Sequence, residues 1–256
     1  RQRYQGEGQK MENRPDCIIL NNVNKYFGDK QVLKDVSFSV PYGCIYGLLG
    51  PSGCGKTTTV KIMAGISEST SGETWVLGER MPQLSLMNQI GYMAQSDALY
   101  TVLSAADNLE FFAAIYGMKK NQYKKRILEV MELVNLAEDL NKPVGAYSGG
   151  MKRRLSLAMA ILHNPKVLIL DEPTVGIDPL LRQEIWKELY NMSEKGVTIL
   201  VTTHVMDEAI KCHKLAMMRR GVLIAQGTPQ ELQNNIGAAS IEEAFIHYGG
   251  GGHEDD

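Results

Sequence analysis

Gly50-Pro51-Ser52-Gly53-Cys54-Gly55-Lys56-Thr57 stands between a short apolar run, Cys44 to Leu49, and a segment of helical spacing, Lys56 to Ala64. A strand that enters a glycine-rich loop and leaves as a helix is the context in which such a loop grips phosphate. Its glycines let backbone N–H groups turn toward a polyphosphate with no Cβ in the way. The helix start adds the positive end of its dipole. Within this reading Lys56 reaches the β- and γ-phosphates and the Thr57 hydroxyl ligates Mg²⁺. Gly50, Pro51, Ser52, Gly53, Cys54, Gly55 and Thr58 complete the candidate nucleotide-binding set. A thiol in this loop could act as a redox brake if the helix start lowered its pKa. Because any residue fits at its position, ordinary filling is the expected role of Cys54.

Working outward, Ile18 to Val23 and Val32 to Val40 read as strands, with Gly28-Asp29 turning between them. Val167 to Leu170 and Val197 to Val201 are continuously apolar, as strands covered on both faces are. Pro179 to Lys195 has helical spacing, with Ile185, Leu189 and Met192 on one side. The expected fold class is α/β: a phosphate-loop core with a mostly parallel sheet and an antiparallel β patch near its start. Residues 97–163 differ in texture. Leu109, Phe112, Ala113 and Tyr116 share one helical face, and Ile127, Val130, Met131 and Val134 share another, so an inserted α-helical subdomain is expected there. Residues 1–16 read as a flexible leader, with Met11 a candidate start, and 249–256 as a flexible Gly/acidic tail too poor in apolar residues to pack. The ordered domain is then 17–248.

Composition narrows the function. The chain has 256 residues, 44% of them hydrophobic and 22% charged, enough for one sizeable core. A net charge of −2 supplies no field that would draw nucleic acid, and no such partner is expected. Cys17, Cys44, Cys54 and Cys212 have no metal-ligand spacing and suit a reducing compartment. No apolar run approaches the ~20 residues that span a bilayer, so a membrane role would come through a partner.

Further along, Asp171 and Glu172 end the most apolar strand. A carboxylate there can hold the Mg²⁺ water shell, and its neighbour can orient or deprotonate an attacking water. Adjacent side chains at a strand end point oppositely, so Asp171 is assigned to the metal and Glu172 to the water. Ser148-Gly149-Gly150 precedes a helix from about Met151 to Leu162, with Ser148 as its N-cap. Lys152, Arg153 and Arg154 crowd the start of that helix, where cations are disfavoured by ~0.3–1 kcal/mol each. An incoming phosphate would reverse the sign. Taken alone, however, these residues are expected simply to solvate themselves. Gln95 follows an apolar stretch and could offer its carbonyl oxygen to Mg²⁺ or water, although a lone Gln is ordinarily polar surface. His204 follows Thr202-Thr203 at a strand end, where open α/β sheets place ligands, and is read as a γ-phosphate contact. His163, His213, His247 and His253 are expected at the surface.

In that order the motifs resemble the ATP-binding cassette (ABC) ATPases: the loop 50–57, Gln95, the signature 147–151, Asp171-Glu172, Gly176-Ile177-Asp178-Pro179 and His204. The resemblance spans about residues 17–236. It implies that Phe27, with Tyr26 as rival, stacks on adenine, and that Gln95 senses metal and water. It implies that Ser148 and Gly150 clasp the γ-phosphate bound to an opposite subunit, that Glu172 is the catalytic base and that His204 is the switch histidine. Asp178 would belong to the loop that crosses the dimer. Tyr147-Ser148-Gly149-Gly150-Met151 departs from the commoner Leu-Ser-Gly-Gly-Gln, and Met151, which cannot hydrogen-bond as Gln would, is left outside the site. That variant, with Lys152-Arg153-Arg154 and Ile241-Glu242-Glu243-Ala244-Phe245, is similar to the drug-resistance and lipid exporter branch.

The function so implied is ATP hydrolysis that drives export, with ATP and Mg²⁺ as cofactors. Its partners would be a separate transmembrane permease and a second cassette, as a homodimer or a paralogue heterodimer. The implied place is the cytoplasmic face of the membrane. Rival readings are an importer ATPase, a soluble ABC ATPase outside transport, and a nucleotide-binding module without catalysis. The last is disfavoured by the presence of Lys56, Asp171, Glu172 and His204. Lys119, Lys120, Lys124, Lys125 and Arg126 could face lipid or permease, but a solvated helix face explains them more simply.

Overall fold

Continuous apolar runs become the centre of a six-stranded sheet. The computed structural model describes residues 16–96 and 98–250. Most of the expected leader, 1–15, and the end of the expected tail, 251–256, lie outside them, as does His253. Strands β3 (Ile45–Leu49), β6 (Ile90–Met93), β7 (Val167–Asp171), β8 (Thr198–Thr203), β9 (Lys214–Arg219) and β10 (Val222–Gly227) pair in the order β10-β9-β3-β8-β7-β6. Every pairing is parallel except β10 with β9. Strands β1 (Ile18–Phe27), β2 (Lys30–Val40), β4 (Ser71–Val76) and β5 (Glu79–Arg80) form an antiparallel sheet of order β2-β1-β4-β5. The mostly parallel core and its antiparallel patch are as expected, with β1 and β2 running further toward the Gly28 turn.

Period-two alternation divides the core into two layers. Tyr46, Leu48, Val167, Ile169 and Leu200 face the antiparallel sheet and helix α1 (Lys56–Met63). Ile45, Leu49, Leu168, Leu170, Ile199 and Val201 face the helices on the other side. Those helices are α2 (Ala105–Ile115), α3 (Lys120–Leu133), α4 (Gly149–Ile161) and α5 (Pro179–Glu194). On α2 the Ser104–Asp107 capping box satisfies first-turn amides, and Leu109 and Ala113 are buried. Ile127, Val130 and Met131 are buried on α3, and Ile185, Leu189 and Met192 on α5, as their spacing predicts. The chain closes with α6 (Met206–Ala209), α7 (Pro229–Asn234) and α8 (Ile241–Tyr248).

Two arginines tie α3 to α4. Arg126 on α3 donates to the carbonyls of Ile161 (2.9 Å) and Leu162 (3.3 Å) at the end of α4. Arg154 on α4 donates to Val134 (3.1 Å) and Asn135 (2.9 Å) at the end of α3. Each guanidinium meets carbonyls that a helix terminus leaves unpaired. The expectations that Arg154 and, with the neighbouring lysines, Arg126 are solvated side chains are therefore corrected. Lys119, Lys120, Lys124 and Lys125 are exposed, as a solvated helix face requires.

The register decides where the functional residues gather. Leu49 pairs with Thr203, Asp171 with Thr202, and Met93 with Leu170. Parallel strands end together, so the residues that follow β3, β6, β7 and β8 emerge at one carboxyl edge.

Candidate nucleotide-hydrolysis site

Gly50 follows β3 at a place where no side chain fits. A Cβ there would lie 2.4 Å from the Met218 carbonyl oxygen and 2.6 Å from Cys54 Sγ. Gly55, at φ +110°, passes directly into α1, which has no side-chain cap. The first-turn amides of α1 are thus donors without an intrahelical partner, as phosphate binding needs. Lys56 is only 5% exposed, and its ammonium donates to the Gly50 (2.6 Å) and Pro51 (3.0 Å) carbonyls. A cavity of about 260 Å³ opens over the loop, bounded by Ser52, Gly53, Gly55, Lys56, Thr57 and Thr58 on one side and by Val32, Gln95 and Glu172 on the other.

The two neighbouring acids have different surroundings. Asp171 is wholly buried, and its Oδ1 accepts the Thr202 hydroxyl at 2.5 Å. Its Oδ2 is buried with no hydrogen-bond partner among the described residues. A buried, unpaired carboxylate oxygen is costly unless a cation meets it; Asp171 does not itself line the cavity, whereas Thr57 and Gln95, which carry oxygen donors of the kind Mg²⁺ takes, do. Glu172 adopts φ +52°, an unusual conformation for a residue with a side chain. Its amide donates to both the carbonyl (3.2 Å) and the hydroxyl (3.0 Å) of Thr202. Its carboxylate accepts Gln95 Nε2 at 3.4 Å on one oxygen and lies 3.0 Å from His204 Nδ1 on the other. A carboxylate only accepts, so that second contact places the proton on His204 Nδ1.

Other expected site residues lie apart. Ser148 caps α4, accepting the Met151 amide at 3.2 Å, yet Ser148, Gly149 and Gly150 do not line the cavity. Gly150 instead approaches Gly176, where an added Cβ would sit 3.1 Å from the carbonyl oxygen. Met151 packs against the core. Tyr26 and Phe27 are exposed at the end of β1, with Lys25 Nζ 5.1 Å from the centre of the Phe27 ring. Asp178 caps α5, accepting the Leu181 amide at 3.0 Å. Burial pushes the Cys54 thiol up despite the nearby Lys56 charge, which supports the filling role over a reactive thiolate.

Two expectations need correction. Arg153 is buried, not solvated, and donates to backbone carbonyls of Ala94, Gln95, Asp171 and Glu172. Its position four and eight residues before Leu157 and Ile161 places it on the buried face of α4, a periodicity that the motif reading overlooked. His163 is not a surface residue. Its ring stacks on Tyr116 with centroids 3.7 Å apart, and its Nε2 lies 3.1 Å from the Ile90 carbonyl oxygen. Burial pushes it down to about 4, with Arg126 adding to the effect and the Ile90 contact opposing it. His213 and His247 are exposed as expected. Thr202, which supports both acids, was also missed; a hydroxyl inside an apolar strand demands a partner and could have signalled it.

A glycine loop and two differently supported acids at one carboxyl edge define a phosphate-loop nucleoside triphosphatase. The chain belongs to the ABC transporter family, whose model matches residues 33–175. It is 43% identical over 236 residues to the probable multidrug ABC transporter ATP-binding protein YbhF of Escherichia coli, covering 90% of this chain and 41% of YbhF. It is 38% identical over 242 residues to the linearmycin resistance ATP-binding protein LnrL of Bacillus subtilis, covering 90% of this chain and 77% of LnrL. The chain thus spans less than half of YbhF. Among solved structures, the dimeric bacterial ABC transporter cassette MJ0796 superposes with a TM-score of 0.78 at 26% identity, over 82% of this chain and 98% of that one.

Proposed function

We propose that this cassette binds and hydrolyses ATP to drive export through a transmembrane permease. The observation that carries the reading is the Glu172 carboxylate, which borders the phosphate-loop cavity while contacting Gln95 and His204. Lys56 and the α1 amides hold the β- and γ-phosphates of ATP, and Phe27 or Tyr26 stacks on adenine. Thr57, Asp171 and Gln95 hold Mg²⁺, which neutralises charge on the phosphate oxygens when bound. Glu172 takes the proton of the attacking water, while Gln95 and His204 fix its orientation.

A second cassette completes the site. Ser148 and Gly149, which are exposed, and the half-buried Gly150 form a helix start outside the cavity, which supports their clasping the nucleotide of a partner. Two copies, or one copy and a paralogue, then close head-to-tail on two ATP molecules, with Asp178 in the loop that crosses between them. The dimeric state of the MJ0796 cassette favours this arrangement.

Helices α2 to α4, within the 97–163 insert, form a subdomain that meets the core at an apolar groove of about 330 Å³. Ile66, Met87, Met93, Phe112, Tyr116 and Met159 are among its walls. The permease docks a short helical segment there, which places the cassette at the cytoplasmic face of the membrane. No helix among the described residues is long and apolar enough to cross a membrane. The multidrug and resistance names of YbhF and LnrL favour export over import.

The deciding experiment is Glu172→Gln. Turnover should fall by about 10²–10⁴-fold, and an ATP-bound dimer should accumulate on size exclusion. Normal turnover by this variant would overturn the assignment of the base.

A further inference from the structure

Arg153 has no role in the nucleotide chemistry proposed above, yet it is a cation only 7% exposed at the junction of three motifs. It lies on α4, about one turn after the Ser148-Gly149-Gly150 start. One guanidinium nitrogen, Nη1, donates to the carbonyls of Ala94 (2.6 Å) and Gln95 (3.0 Å), just past the end of β6. The other, Nη2, donates to the carbonyls of Asp171 and Glu172 (2.7 Å), at the end of β7.

We infer that Arg153 is a positioning residue that fastens the signature helix to the segments bearing Gln95 and Asp171-Glu172, so that the three move as one body. The guanidinium is planar, and its two terminal nitrogens keep a fixed separation. Bound to one strand end by each nitrogen, it sets the distance between the Gln95 backbone and the Glu172 backbone. That distance in turn governs the 3.4 Å contact between the Gln95 amide and the Glu172 carboxylate. A displacement of α4 on engaging a partner's nucleotide would therefore pass directly to this subunit's own acids. Lysine can supply the charge but has a single nitrogen, which cannot hold both strand ends at a set spacing. The inference rests on the assignment of Glu172 and Gln95 made above. It concerns how they are held.

The test is steady-state MgATP hydrolysis by the full chain carrying Arg153→Lys or Arg153→Gln, in wild-type and Gln95→Ala backgrounds, with melting temperatures measured in parallel. The phosphate loop is untouched, so KM should stay within about twofold while kcat falls on the order of 10–100-fold. In the Gln95→Ala background the same substitutions should cost much less, because one of the two groups they position is already gone. Either variant decides the matter if the other fails to fold. Wild-type kcat in a folded variant overturns the inference. So do a rise in KM that parallels the loss of kcat, and an undiminished penalty in the Gln95→Ala background. Glu172→Gln separates the two levels. If it hydrolyses ATP normally, the reading beneath has failed; if it is inactive while Arg153→Lys is fully active, only the inference has failed.

Discussion

Nδ1 of His204 lies 3.0 Å from Oε1 of Glu172, although 32 residues of chain separate them. The histidine is largely open to solvent while the acid is nearly buried, with side-chain exposures of 43% and 11%. One proton on Nδ1, donated to Oε1, holds the rotamer of the carboxylate.

Removing that imidazole should impair the chemistry and spare nucleotide binding. His204→Ala is expected to lower kcat by about 10²–10³-fold, the range for losing one positioned polar group. Affinity for a fluorescent ATP analogue should stay near wild type, because Lys56 and the loop amides are unchanged. Equal loss of binding and turnover would place His204 in ground-state recognition instead.

Asp171→Asn separates metal binding from folding. The asparagine amide oxygen can still accept the Thr202 hydroxyl, so the melting temperature should move by only a few degrees. The negative charge on the buried, unpaired side of the carboxylate is lost, and the Mg²⁺ concentration for half-maximal activity should rise by about 10–100-fold or more. Chelation of divalent ions from the wild-type protein should abolish turnover in the same assay. An unchanged Mg²⁺ requirement would remove Asp171 from the metal site.

Gly50→Ala should destabilise the protein through packing. The new methyl group meets a backbone carbonyl oxygen of β9 and the Cys54 sulfur, neither of which can swing aside. A cost of about 1–3 kcal/mol is expected in urea unfolding. Gly53→Ala meets open space, and its cost should come only from φ +78°, about 1–2 kcal/mol. Comparison of the two separates steric from conformational demand for glycine in the loop.

His163 should make stability depend on pH. Its folded pKa of about 4 lies below the usual 6.5, so between these values the unfolded chain binds more protons than the folded one. The His163 contribution is fully present above about pH 6.5 and falls away as the pH drops toward 4. His163→Phe keeps a ring against Tyr116 and removes the titration. Its stability should decline less than that of the wild type from pH 7 to pH 5, as followed by urea midpoints.

Local chemistry made much of the molecule legible. Val167 to Leu170 announces a doubly covered strand because each of its faces must meet apolar neighbours. Ser148 and the Gly50–Thr57 loop declare their backbone geometry through side-chain size and capping chemistry alone. Arg153 and His163 were misread because their surroundings come from other elements. A cation at a helix start looks solvated until two strand ends bring carbonyls to it, and a lone histidine looks exposed until Tyr116 and the Ile90 carbonyl enclose it.

By itself, then, the sequence determined the α/β class, the phosphate loop, the helix faces and the list of polar residues at strand ends. Glycine conformation, capping and apolar periodicity act over a few residues and leave a readable pattern. Only the tertiary structure decided that Gln95 and His204 meet the same carboxylate, that Thr202 supports both acids, and that Arg153 joins α4 to them. Those relations depend on the parallel register of β6, β7 and β8 and on the need of buried polar groups to find partners far away in the chain, for which no local pattern exists.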